Sequence, residues 1–142
     1  MHFFSNAQNT ELLFSKMEIG DTLQINFTSR SHSISYNTDY LIIKLVSSKY
    51  KAILELSQWY ESKKTIQENN TYQLSDKTIA KTLEFEKLLL TFDKKNNTHY
   101  CSINRMYKIR LNNEIMQAAV FCCDCEIVSG FYEMLKELKT NQ

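Results

Sequence analysis

Three cysteines crowd together at Cys122, Cys123 and Cys125, and Cys101 lies two residues after His99. Thiolates and imidazoles are the natural ligands of zinc, so this set is the first candidate for chemistry. Its spacing speaks against a metal. Structural zinc sites take about four ligands, usually as two C-x₂₋₄-C pairs. Neighbours such as Cys122 and Cys123 point to opposite faces of a strand, and cysteine packs readily as a small buried hydrophobe. The run "VFCCDCEIVSGFYEMLKEL", residues 120–138, therefore reads as a strand end, an Asp124 cap and a helix, with no metal bound.

Nucleophilic catalysis is the next candidate. Cys125 stands near a helix start, where a thiol pKa falls, but it lacks the rest of a catalytic set. His2, His32 and His99 sit in unrelated contexts, and there is no HExxH helix or serine elbow. Two glycines leave no phosphate-cradling loop. Glu84 and Glu86 alternate as the solvated side of a strand would. No catalytic residue and no cofactor is assigned, and the expectation is a protein that is not an enzyme.

Binding chemistry leaves two constellations. Trp59 and Tyr60 end a strand beside the polar run "ESKKTIQENNT", which reads as a long surface loop suited to recognition. Tryptophan and tyrosine are enriched among residues that carry interface affinity, so Trp59, Tyr60, Lys63 and Lys64 form the candidate protein-binding site. Elsewhere Lys49 and Lys51 flank Tyr50, and Lys108 and Arg110 share one strand face. Aromatics beside cations hold single-stranded DNA or RNA, so Lys49, Tyr50, Lys51, Lys108 and Arg110 form the candidate nucleic-acid site. A net charge of +1, with seven basic and seven acidic residues before position 72 and ten against nine after it, supplies no electrostatic footprint for that second reading.

The elements that must position these groups follow from periodicity. A chain of 142 residues, 43% hydrophobic and 23% charged, matches a soluble globular domain, with no linker or repeat to divide it, and one domain over 1–142 is expected. No apolar run approaches the ~20 residues of a membrane span. The opening "MHFFSNAQNTELLF" lacks the basic flank and apolar core of a signal peptide, so a cytoplasmic protein with reduced thiols and no membrane partner is expected.

"SNAQ" fits the capping box of a short N-terminal helix with Gly20 as its stop. Leu23, Ile25 and Phe27 then alternate with polar residues as in a half-buried strand, and "SRSH" makes a turn. "YLIIKLVSSKYKAILEL" reads as a hairpin. A brief helical turn at Ser75 leads into "LEFEKLLLTF", which reads as an interior strand. Hairpins at Asn96–Asn97 and Asn112–Asn113 follow. Ile127, Phe131, Met134, Leu135 and Leu138 fall on one helical stripe.

The expected fold is α+β: an antiparallel meander sheet of six or more strands, an amphipathic C-terminal helix packed on one face, and a short N-terminal helix. The expected function is a non-enzymatic protein-binding module, a small bacterial or phage inhibitor or immunity-type protein acting by stoichiometric binding to a protein partner. A single-stranded DNA or RNA-binding domain using a basic and aromatic sheet face is the alternative. A homodimer through a sheet edge is compatible with either.

Overall fold

Leu23, Ile25 and Phe27 alternate with Gln24, Asn26 and Thr28 because the strand they build has one dry face and one wet face. In the computed structural model, which describes residues 12–46, 49–90, 103–121 and 126–140, this is β1 (Thr22–Ser31). An antiparallel meander continues through β2 (Ile34–Val46), β3 (Lys49–Tyr60) and β4 (Lys63–Gln73). Helix α1 (Asp76–Leu90) follows, then the hairpin β5 (Ile103–Leu111) and β6 (Glu114–Phe121), then helix α2 (Glu126–Thr140). β5 pairs with the side of β1 that β2 leaves free, so the six strands are ordered β4-β3-β2-β1-β5-β6, every pair antiparallel. The α+β class and the meander sheet are as expected.

Both helices pack on the face that carries Leu23, Ile25, Phe27, Tyr40, Ile42, Ala52, Leu54, Tyr107 and Ile109. From α2 come Ile127, Phe131, Met134, Leu135 and Leu138, the stripe expected from the sequence, all buried. The Phe131 ring lies 5.1 Å from that of Phe27 and 5.3 Å from that of Phe85 on α1, joining sheet and both helices. The helices meet closely at Gly130, where a Cβ would stand 2.8 Å from Cδ2 of Leu88.

Three expectations are corrected. "LEFEKLLL" belongs to helix α1, not to an interior strand. Its buried positions Thr78, Thr82, Phe85, Glu86 and Leu89 repeat the offsets of the α2 stripe, but three of the five are polar, so hydropathy hides the helical period. Each of the three is satisfied. The Thr78 hydroxyl shares a hydrogen bond with the hydroxyl of Ser75, the residue before the helix, at 3.0 Å, and the Thr78 backbone N–H donates to the same Oγ at 3.2 Å. Thr82 donates its hydroxyl to the Thr78 carbonyl at 2.8 Å, leaving its oxygen to accept from the Tyr40 hydroxyl at 3.3 Å. Burial pushes the Tyr40 phenol up to about 12. Glu86 accepts the backbone N–H groups of Leu13 and of Phe14, the latter at 3.0 Å, while Glu84 is exposed. The two acids therefore do not share a solvated strand face.

The second correction concerns "ESKKTIQENNT", which is no long loop: it holds the two-residue turn Glu61–Ser62 and most of edge strand β4. Nearly every side chain of β4 is exposed, so neither face needs apolar residues and no alternation betrays the strand. Thirdly, the described part of the expected N-terminal helix is a 3₁₀ turn, Phe14–Lys16, anchored by Glu86 and by Phe14 packed on Tyr50 at 4.8 Å. The capping box at 5–8, the Asn96–Asn97 hairpin, His99, Cys101, Cys122, Cys123 and Cys125 lie outside the described residues.

Candidate functional site at the hairpin tips

Neither helix covers the second face of the sheet, and its central strands carry a polar ladder there. Gln24 donates to Asp39 at 3.2 Å, and Asn26 donates to Asn37 at 2.9 Å and also to Asp39. The Thr28 hydroxyl donates to Oδ1 of Asn37 at 3.0 Å, and Nδ2 of Asn37 donates to Asp39 at 3.0 Å. Cross-strand pairs place these groups side by side, which fixes their rotamers before any ligand arrives.

Beyond the ladder the sheet runs out to two adjacent hairpin tips, His32–Ser33 and Glu61–Ser62. Arg30 of β1 pairs with Ser35 of β2, and Ser35 pairs with Trp59 of β3, so one row sets a small residue between two large ones. The result is an open polar trough of about 490 Å³ lined by Thr28, Arg30, Ser33, Ser35, Asn37, Trp59, Glu61 and Ser62. Arg30 makes no ion pair among the described residues. Glu61 and Ser62 have φ of 47° and 68°, a left-handed conformation that neither residue type favours. In the next row Ser57 lies between Asn37 and Ile66 at a β-bulge, and its buried hydroxyl has no partner among the described residues.

The four residues expected to bind protein gather at this tip but divide between its faces. Trp59 and Lys64 pair on the open face, with the Lys64 ammonium 5.9 Å from the indole centroid and 2.9 Å from Glu55. Tyr60 and Lys63 pair on the helix side, where Tyr60 also pairs with Ile34. Tyr36 sits diagonally from Tyr60 on that side. Trp59, Tyr60 and Tyr36 are 39%, 49% and 48% exposed, high for large aromatic groups on three successive β-rows.

The five residues of the nucleic-acid set are separated. Lys51, Lys108 and Arg110 lie on the open face, in register with Ile43, Asn26 and Gln24 respectively. Tyr50 turns to the helix side, against Phe14 and 5.7 Å beneath the Lys44 ammonium, and Lys49 is exposed at the far end of β3. The aromatic and the cations therefore do not share a face.

Sequence reasoning passed over Arg30, Ser35, Asn37 and Glu61. The available signal was the phase of "TSRSHSISYNTD": Thr28 and Arg30 fall opposite the buried residues of β1 and had to stand on an uncovered surface. Among the described residues no cluster of side chains could hold a metal ion, and no helix is long and apolar enough to cross a membrane. No protein-family model, curated protein or solved structure matches this chain.

Proposed function

We propose that this chain is a non-enzymatic protein-binding module that docks stoichiometrically through its hairpin tips, in the manner of a bacterial or phage inhibitor or immunity-type protein. The observation that supports this is the exposure of Tyr36, Trp59 and Tyr60 at one end of the sheet, beyond the helix-covered core. Rigid strands hold these rings, so little conformational entropy is lost when they are buried by a partner. Lys63 and Lys64 flank them and suit an acidic surface on that partner.

The test is affinity capture of the tagged protein from its own cells, with and without nuclease, read by mass spectrometry. One protein retained in near-equal amount despite nuclease is the expected result. Alanine variants of Trp59, Tyr60, Lys63 and Lys64 that fold normally should weaken its binding, the aromatic ones by tenfold or more, as for residues worth ~1.4 kcal/mol or above. Folded variants that bind as tightly as the parent remove this assignment.

The single-strand-binding alternative keeps one supporting observation, the shared open face of Lys51, Lys108 and Arg110 with Arg30 and Trp59. It predicts loss of all captured material on nuclease treatment and a steep fall of affinity with salt.

A further inference from the structure

The trough beside Trp59 has chemistry of its own, distinct from an aromatic contact surface. Adjacent strands stand about 4.8 Å apart, so the Arg30 and Trp59 backbones are separated by roughly 10 Å with only Ser35 between them. A volume of about 490 Å³ falls within the range of small-molecule sites.

The lining selects among ligands. Arg30 and Glu61 contribute one positive and one negative charge, so a phosphate would meet a single cation with a carboxylate on the same rim. An apolar ligand would find one aromatic wall and otherwise hydroxyls and amide. What fits is a neutral ring with an aliphatic face and several hydroxyls. Its polarised C–H bonds suit the negative face of indole. Its hydroxyls, each both donor and acceptor, match Arg30 and Asn37 as donors, Glu61 as acceptor, and Ser33, Ser35 and Ser62, which do both. Asn37 is already oriented: its oxygen accepts from Asn26 and Thr28 and one amide hydrogen goes to Asp39, which leaves the other amide hydrogen for a ligand. The Glu61–Ser62 turn gives the rim a carboxylate and a hydroxyl that Asn-Gly, the pair favoured at such a turn, would not supply.

We propose that this trough is a saccharide-binding site that takes one pyranose ring, stacked on Trp59 and held by Arg30, Asn37 and Glu61. The site goes beyond the protein-binding reading: it shares Trp59 with that reading and otherwise stands on Arg30, Ser35, Asn37 and Glu61, which the reading does not use.

Trp59 is the sole tryptophan of the chain, so its emission reports directly on occupancy. The intact protein is titrated with glucose, galactose, mannose and N-acetylglucosamine, and in parallel with inorganic phosphate and AMP, following Trp59 fluorescence and backbone amide NMR shifts. The expected result is saturation by at least one sugar, with a dissociation constant of about 1 mM or below and shifts centred on Thr28, Ser35 and Asn37. Arg30→Ala and Ser35→Leu should each weaken it at least tenfold, while Tyr60→Ala and Lys63→Ala leave it unchanged. Absence of saturation by every sugar, saturation by phosphate or AMP alone, or a sugar response that survives Ser35→Leu overturns the proposal. Protein capture through Tyr60 and Lys63 is read separately, so either idea fails without taking the other with it.

Discussion

Arg30 and Trp59 stand on either side of Ser35 in a single row across β1, β2 and β3. The gap between them exists because Ser35 is small, so its size should matter to the indole and hardly at all to the fold. Ser35→Leu is expected to shift Trp59 emission to shorter wavelength as the side chain shields the ring. Stability should stay within about 0.5 kcal/mol of the parent, as for other surface substitutions. Fluorescence and urea unfolding on the same samples check both.

Glu61 and Ser62 hold positive φ without the side chains that tolerate it. Replacing them by Asn-Gly relieves strain in each residue, and a left-handed L-residue costs roughly 1–2 kcal/mol. The double variant should therefore melt higher while losing the carboxylate and hydroxyl from the trough. A calorimetric midpoint that falls, or does not move, would show the turn to be unstrained.

Burial raises the carboxyl pKa of Glu86 above 4.5, against the pull of the Phe14 and Leu13 N–H groups and the Lys16 charge. The unfolded carboxyl thus ionises first as pH rises, and the native state holds the extra proton. Stability from this group is complete below 4.5 and is lost as pH climbs through the folded value. Glu86→Gln cannot ionise, so the variant's stability relative to the parent should increase across that window and then level off. Urea titrations of both proteins from about pH 4 to about pH 8 measure the difference; parallel curves would remove the claim.

Ser57 is 1% exposed and its hydroxyl has no partner among the described residues. An unsatisfied buried hydroxyl costs about 1–3 kcal/mol, part of which an apolar replacement recovers. Ser57→Ala should be neutral or stabilising in chemical denaturation, unlike most substitutions at buried positions. A clear destabilisation would mean that the hydroxyl has a bound partner such as water.

At Gly130 the two helices approach until a Cβ would press on Leu88. Gly130→Val should lose about 1–3 kcal/mol through overpacking. Adding Leu88→Ala should restore part of that loss, giving a favourable coupling in a double-mutant cycle. Additive losses would place the strain elsewhere.

Which elements could be read in the sequence depended on how each meets water. Leu23, Ile25 and Phe27, and the α2 stripe from Ile127 to Leu138, were legible because apolar residues mark their buried faces. Asn112–Asn113 was legible because asparagine accepts the left-handed backbone it adopts, with φ of 49° and 71°. Helix α1 was misread because Thr78, Thr82 and Glu86 occupy its inner face, and the short run Leu83–Glu86 mimics a strand. β4 was misread because an exposed edge strand has no inner face to advertise. The trough was missed for a different reason: Trp59 lies far from Arg30 and Ser35 in sequence order and joins their row only through strand register, which turn positions set jointly. Trp59, Tyr60, Lys63 and Lys64 could be picked out as a group, but not their division between two faces, which follows from a turn taken for part of a loop.

The placement of β5 beside β1 also has a consequence for how the chain is made. During synthesis the first four strands leave the ribosome as a meander in which β1, the most central strand of the finished sheet with its partner β2, is still an outer strand. One row of its backbone donors and acceptors stays unpaired until residues 103–111 arrive. A nascent or truncated chain ending after α1 therefore presents β1 as an open edge ready to pair with another strand, and residues 103–111 act as the seal that closes it.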